Sequence, residues 1–243
     1  PNVVPPLLVQ ASLAIAAGAR TLVLEDLLVG QVWLCSGQSN MDFQLARATG
    51  GKEEAATAAA RPSIRLFNLT GVPTDPRVYD RAMLARLNPH DHFQGKWERA
   101  TESSAAGFSA IAWWTGKAIH EETGVPVGLV ENAVGGSPTE AWLPLEILET
   151  DPGYRELLGL SWFDAARMSP WARGRARQNL GAHPEASHPF QPGFLHESGV
   201  RDFAGFPFRG VLWYQGETNA EVDYPAWQVK VMGDLVRGWR GTL

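Results

Sequence analysis

The sequence predicts an α/β protein, a three-layer α/β/α sandwich with a parallel sheet. Three observations predict it. Apolar runs of strand length, at 31–36, 125–130 and 208–214, alternate with longer stretches of helical pattern. Each run ends in a turn of polar or small residues, which is how parallel strands present a shared edge. The chain has 243 residues, 44% of them hydrophobic and 19% charged, enough for one such domain with a sizeable core.

The elements follow in order. Residues 7–17 are apolar and alanine-rich but too short to cross a bilayer. The chain opens on Pro1 without a charged region before an apolar one, so no secretory signal is visible. A short strand is expected at 21–26, and residues 1–28 read as a tail or linker apart from the main domain, 29–243. The first strand of that domain is 31–36. Residues 52–60, dominated by alanine and glutamate, read as a helix, and 63–68 as a strand. Residues 73–95, rich in Pro, Asp, Asn and Arg, read as an irregular surface loop. A helix is expected over 108–122, with Phe108, Ile111, Ala112, Ala118 and Ile119 on one face and Gly124 as its stop. The strand 125–130 follows. Residues 151–192, of mixed polarity with scattered Trp, Arg, His and Pro, read as an insertion with short helices rimming a site. After the strand 208–214, Pro225 stands at a favourable first helical position. That helix runs to about 239 with Trp227, Val231 and Leu235 on its buried side.

Composition excludes some classes. The net charge of −5 gives no basic footprint for nucleic acid. The single cysteine, Cys35, rules out an internal disulfide and reads as a small buried hydrophobe. His90-Asp91-His92 superficially suggests a metal site, but a pair in a polar loop without a third ligand is more simply solvated. No metal or cofactor is expected.

The chemistry centres on Gly37-Gln38-Ser39-Asn40-Met41. A serine on a tight turn at the carboxyl end of a strand has the geometry of a nucleophile, with backbone N–H groups beside it to receive an oxyanion. Alone, that turn is an ordinary strand-to-loop connection. Two further turns, at 131–142 and 215–219, also close apolar strands, and in a parallel sheet all three open onto one edge.

Here the sequence resembles the carbohydrate O-acetylesterases of the SGNH-hydrolase superfamily, especially the sialate O-acetylesterases, over roughly residues 25–243. The resemblance rests on Gly37-Gln38-Ser39-Asn40-Met41 after Val32-Trp33-Leu34-Cys35-Ser36, on Gly135-Gly136 followed by Glu140-Ala141-Trp142, and on Trp213-Tyr214-Gln215-Gly216-Glu217-Thr218-Asn219. Gly107-Phe108-Ser109-Ala110 and Val125-Pro126-Val127-Gly128-Leu129 also match. It implies an SGNH-hydrolase, flavodoxin-like fold and a serine esterase acting through an acetyl-enzyme on an O-acetylated sugar, sialic acid first. An acetylxylan esterase or a non-catalytic carbohydrate-binding relative are the alternatives. By this resemblance Ser39 is the nucleophile. The Ser39 N–H, a backbone N–H of the Gly135-Gly136 turn and the Gln215 side chain receive the oxyanion, and Glu217 assists a catalytic histidine or braces the loops. Residues 1–28 would be the tail of an N-terminal β-domain. A periplasmic, secreted or lysosomal site is implied.

The sequence departs from that family at one place. No Asp-x-x-His block follows the Gln215 turn. The nearest mimic, Glu185-Ala186-Ser187-His188, precedes that turn, and His183 and His196 are no better candidates. The base is therefore expected on a C-terminal companion segment or chain. Asn40 and Asn219 are expected to tie loops. Trp162 and Trp171 are weak candidates for sugar contact, and Arg173, Arg175 and Arg177 lean toward an acidic sugar.

Overall fold

The computed structural model describes residues 10–243, so residues 7–9 of the apolar opening lie outside the described residues. Strands β1 (Gln10–Ala17) and β2 (Arg20–Leu28) pair antiparallel, with Gly18 in the left-handed region (φ 59°) at the turn. Only a shorter strand at 21–26 was expected here. Alanine is a poor strand former, and what makes 10–17 a strand is its partner across the turn. The hairpin forms a sheet of its own and exposes Leu13, Ile15, Leu22 and Val23. Asp26 ties it to the main sheet: Arg65 donates to its carboxylate at 2.7 and 2.9 Å and Arg99 at 2.9 Å. Hydrogen bonds from these two guanidinium groups hold its carboxyl well below the usual range.

The main sheet contains β3 (Gln31–Gly37), β4 (Ile64–Asn68), β5 (Trp97–Arg99), β6 (Val127–Glu131) and β7 (Gly210–Tyr214) in the order β5-β4-β6-β3-β7. Strands β4, β6, β3 and β7 are parallel, and β5 adds one antiparallel edge. That edge was not expected: three exposed residues in a polar stretch carry no strand pattern. It forms because β4 offers an open edge and Trp97 stacks on Phe67 with ring centroids 5.3 Å apart.

The helices are α1 (Gly51–Ala56), α2 (Arg81–Ala85), α3 (Glu102–Ala106), α4 (Ala110–Thr123), α5 (Leu145–Thr150), α6 (Pro170–Leu180), α7 (Phe194–Gly199), α8 (Glu217–Ala220) and α9 (Pro225–Thr242). They cover both sheet faces. Along β3 and β6, alternate side chains enter opposite cores. Leu34 and Val130 pack with Trp142, Trp227 and Trp239, whereas Cys35 and Leu129 pack with Ile64, Phe108 and Trp113. These two cores are the spaces between three layers.

Within this frame three local expectations change. The helix expected at 52–60 breaks into α1 and a 3₁₀ turn, Ala58–Ala60. The loop 73–95 contains α2, capped by Asp80 accepting from the Met83 N–H at 2.8 Å. In α4, capped by Ser109 and ended by Gly124 in the left-handed region (φ 69°), Ala118 is exposed and Trp113 and Gly116 form the buried centre instead. A Cβ on Gly116 would stand 2.7 Å from Leu129 Cδ1, so the helix packs too close to β6 for any side chain there. Helix α9 buries Trp227, Val231 and Leu235 as expected and continues to Thr242. No helix among the described residues is long and apolar enough to cross a membrane.

Candidate active site

The carboxyl ends of β3, β6 and β7 lie side by side, and the three sequence turns meet there. At the end of β3 the chain must pass close under β7. Gly37 has φ 140°, and a Cβ on it would lie 2.1 Å from the Tyr214 carbonyl oxygen, so only glycine fits. The Gln38 N–H donates to that same carbonyl at 3.0 Å. The Met41 and Asp42 N–H groups then turn back onto Gln38 O at 2.9 and 3.0 Å. This tight turn buries Gln38 and leaves Ser39 exposed at the rim.

The turn after β6 closes over Ser39. A Cβ on Gly135 would lie 3.8 Å from the Ser39 Cβ. Gly136 is left-handed, with φ 76°. Among the described residues, the backbone N–H groups of Ser39, Gly135 and Gly136 have no acceptor, and the Ser39 hydroxyl has no partner. Unspent amides beside an exposed serine are what an oxyanion requires.

Side chains from the third turn bind the first two together. Thr218 Oγ donates to Gln38 Oε1 at 2.9 Å and approaches Gly136 O at 3.2 Å. Glu217 accepts from Gln38 Nε2 at 2.5 Å and from Asn40 Nδ2. Asn219 Oδ1 accepts from the Thr139 N–H at 2.8 Å, and its amide donates to Glu140 at 2.9 Å. Glu140 also takes the Trp227 indole N–H at 2.8 Å, which carries the staple to α9. Burial pushes the Glu140 carboxyl up, against the pull of these donors. Nearby, Glu131 at the end of β6 is raised to about 8 by burial, although the Ser109 N–H at 2.9 Å opposes the shift. That shift favours the protonated carboxyl at neutral pH.

The predicted residues are thus partly assembled. Ser39, Gly135, Gly136 and Glu217 line one open cleft of about 470 Å³ with Gln38, Thr74, Asp75, Trp171, Arg175, Thr218 and Glu221. Gln215 does not line it. Its amide donates to Asn219 Oδ1 at 2.6 Å and to Ser137 O at 3.2 Å, with the Thr139 hydroxyl 2.5 Å from its own oxygen. Glu217 holds the Gln38 and Asn40 amides, contacts that join the third turn to the first.

None of the six histidines of the chain lines this cleft. His188, the out-of-order candidate, is fully buried. Its Nδ1 accepts the Phe190 N–H at 3.0 Å, its Nε2 faces Asn179 Oδ1 at 3.2 Å, and burial pushes it down to about 3. His196 is tied to Glu197 and Thr242, and His183 is exposed beside Glu185. His92, expected to be solvated, is fully buried against Phe93 and Phe194 and lowered to about 3 by that burial. Cys35 is buried and its thiol pushed up, as an inert side chain should be. No cluster of three metal-ligating side chains occurs among the described residues.

Two further expectations resolve. Trp162 is 1% exposed and stacks on Phe163 in the core, so it cannot touch a sugar, whereas Trp171 is 41% exposed in the cleft. Of the three arginines on α6, Arg173 and Arg177 point back to Phe163 O and only Arg175 enters the cleft. Sequence reasoning missed Thr74, whose hydroxyl donates to Gly135 O at 2.9 Å, because nothing distinguishes it within an irregular loop. It also left Thr218 and Glu140 without roles, although both stand inside the motif blocks.

Fold and site together define an α/β/α sandwich with an exposed serine at the carboxyl edge of its parallel strands. No protein-family model matches the chain. It is 26% identical over 98% of its length to sialate O-acetylesterase from Rattus norvegicus and 25% identical over 91% to that of Homo sapiens. The crystal structure of a carbohydrate acetylesterase from Xanthomonas citri superposes with a TM-score of 0.66 at 27% identity, over 95% of this chain. The chain spans only 44%, 37% and 43% of these three proteins, respectively. These likenesses show the resemblance that the three motif blocks carry, to the SGNH-like carbohydrate O-acetylesterases.

Proposed function

We propose that this protein hydrolyses O-acetyl esters on carbohydrates, with Ser39 as nucleophile and sialic acid as the sugar. The observation that carries the reading is Ser39 exposed beside three unspent backbone amides, its own and those of Gly135 and Gly136. The Ser39 hydroxyl attacks the acetyl carbonyl, and the carbonyl oxygen becomes an oxyanion held by those amides. Collapse expels the sugar hydroxyl and leaves an acetyl-enzyme, which water hydrolyses. Gln215 can join the oxyanion donors only by releasing Asn219 or Ser137. The names of the relatives support the sugar.

A base must take the Ser39 proton, and no described histidine reaches it. The base comes from a companion segment carrying an Asp-x-x-His block. Strand β7 leaves one side of the sheet open, and the groove between it and α9 exposes Val211, Met232 and Val236. That surface suits a further strand and helix. The missing base also favours a second reading, a non-catalytic sugar-binding relative.

The experiment is hydrolysis of a small acetyl ester by protein supplied with such a segment. Replacement Ser39→Ala should abolish turnover with the fold intact. Turnover within a few fold of the wild type would refute Ser39 as nucleophile. No turnover by the wild type, with sugar binding retained, would favour the second reading.

A further inference from the structure

Beside the catalytic turn, one wall of the cleft is built from a single helix face. Trp171 and Arg175 stand four residues apart on α6 and so project to the same side. The Arg175 guanidinium carbon lies 5.0 Å from the centre of the Trp171 ring. Trp171 abuts the Gly135-Gly136 turn directly, and Arg175 reaches it through Thr74. The Trp171 ring edge is 2.4 Å from where a Cβ on Gly136 would stand, so this glycine yields its space to the indole. Arg175 Nη1 donates to Thr74 O at 2.7 Å, and the Thr74 hydroxyl donates to Gly135 O. The oxyanion turn, Thr74 and Arg175 are one connected unit.

Arg175 is half-buried, yet no carboxylate forms an ion pair with it among the described residues. Asp75, in the cleft, feels the Arg175 charge but takes its hydrogen bonds from Arg77, with Nε at 2.5 Å. The other two cleft carboxylates belong to α8 and its end. Glu217 takes the Gln38 and Asn40 amides, and Glu221 takes the Ser169 hydroxyl at 2.5 Å. A guanidinium has five N–H donors in a planar fork, and Arg175 spends one on Thr74. The rest match a carboxylate, which accepts two parallel bonds from such a fork. An exposed indole next to it matches the apolar face of a sugar ring.

We propose that Trp171 and Arg175 form the subsite that selects an acidic sugar: Trp171 stacks on the ring and Arg175 binds its carboxylate. This rests on the reading of the Ser39 cleft as the place where an O-acetyl sugar binds. The subsite turns a general acetyl-ester site into one that distinguishes a sugar acid from a neutral sugar.

Equilibrium binding of the methyl glycoside of N-acetylneuraminic acid and of its neutral methyl ester, followed by tryptophan fluorescence and calorimetry, tests this without needing a base. The wild type should bind the acid about tenfold tighter than the ester, the gain of one charge-assisted pair in a half-exposed cleft. Arg175→Gln should bring the two affinities together, and Arg175→Lys should restore only part of the difference. Trp171→Ala should weaken both ligands alike. Equal binding of acid and ester by the wild type, no binding of the acid at millimolar concentration, or an acid preference that survives Arg175→Gln would each overturn the proposal. Phosphonylation of Ser39 by a fluorophosphonate is read in parallel on wild-type protein supplied with the base-bearing segment. Its failure would count against the esterase reading, whereas loss of the acid preference alone would count against this subsite.

Discussion

The Gln215 amide donates to Asn219 Oδ1 at 2.6 Å, so the side chain that the resemblance assigns to the oxyanion is held by the turn that follows it. The bond joins β7 to the start of α8 and, through Asn219, to Thr139 and Glu140 on the neighbouring turn. Gln215 therefore has two possible contributions, and they separate by measurement.

With the base-bearing segment present, Gln215→Ala is expected to lower kcat about 100-fold to 1000-fold with KM little changed, because an oxyanion donor acts in the transition state. Steady-state kinetics beside thermal unfolding decides it. A lower melting temperature with kcat retained would make Gln215 a staple alone.

Gly136→Ala should damage the site whatever happens at Gln215. The residue is left-handed at φ 76°, and its new methyl would collide with the Trp171 ring at 2.4 Å. A left-handed alanine costs roughly 1–2 kcal/mol before any collision is counted. Either Trp171 moves or the turn carrying the two proposed oxyanion amides does. Acetyl-ester turnover should fall at least about tenfold, a change of about 1.4 kcal/mol in barrier. Turnover equal to the wild type would show that Trp171 gives way and the turn keeps its place.

His188→Ala should cost stability and spare turnover. The ring is sealed in the core, and its loss leaves a cavity and orphans the Phe190 N–H. A loss of about 2–4 kcal/mol in urea unfolding is expected. Collapse of turnover in a folded variant would reinstate His188 as the base.

Stability should fall as pH rises from about 7 to 8. Glu131 has its folded pKa raised to about 8, so between the unfolded value of 4.5 and 8 the folded state binds more protons than the unfolded chain. Each pH unit in that window then removes up to about 1.4 kcal/mol. Glu140, also raised, acts in the same direction. His92 and His188, lowered to about 3, oppose it only below about 6.5. Glu131→Gln should reduce the slope in urea midpoints between pH 7 and 8. An unchanged slope would mean Glu131 is ionised in the folded protein.

The 243-residue chain alone should turn over acetyl esters several orders of magnitude more slowly than it does with an Asp-x-x-His segment supplied in cis or in trans. Full activity from the isolated chain would remove the need for a companion.

The three parallel strands ending in the motif turns were legible because their apolar runs and terminal glycines are local features. Gly37 shows why: the chain can pass under Tyr214 O only without a Cβ, and that constraint is written at one position. The same is true of Ser39 on its turn and of the buried stripe Trp227, Val231 and Leu235 on α9. Tertiary structure alone decided matters that depend on partners distant in sequence. β1 and β5 are strands only because β2 and β4 lie beside them. Trp162 and Trp171 look alike in sequence, yet Phe163 and the core claim one and the Gly136 turn leaves the other in the cleft. Arg173, Arg175 and Arg177 likewise differ only by the direction in which α6 turns each of them, and that direction follows from how the helix lies against the segments around Phe163 and Thr74. Local sequence specifies backbone conformation at short range, whereas which side chain meets the cleft is set by packing between elements a hundred residues apart.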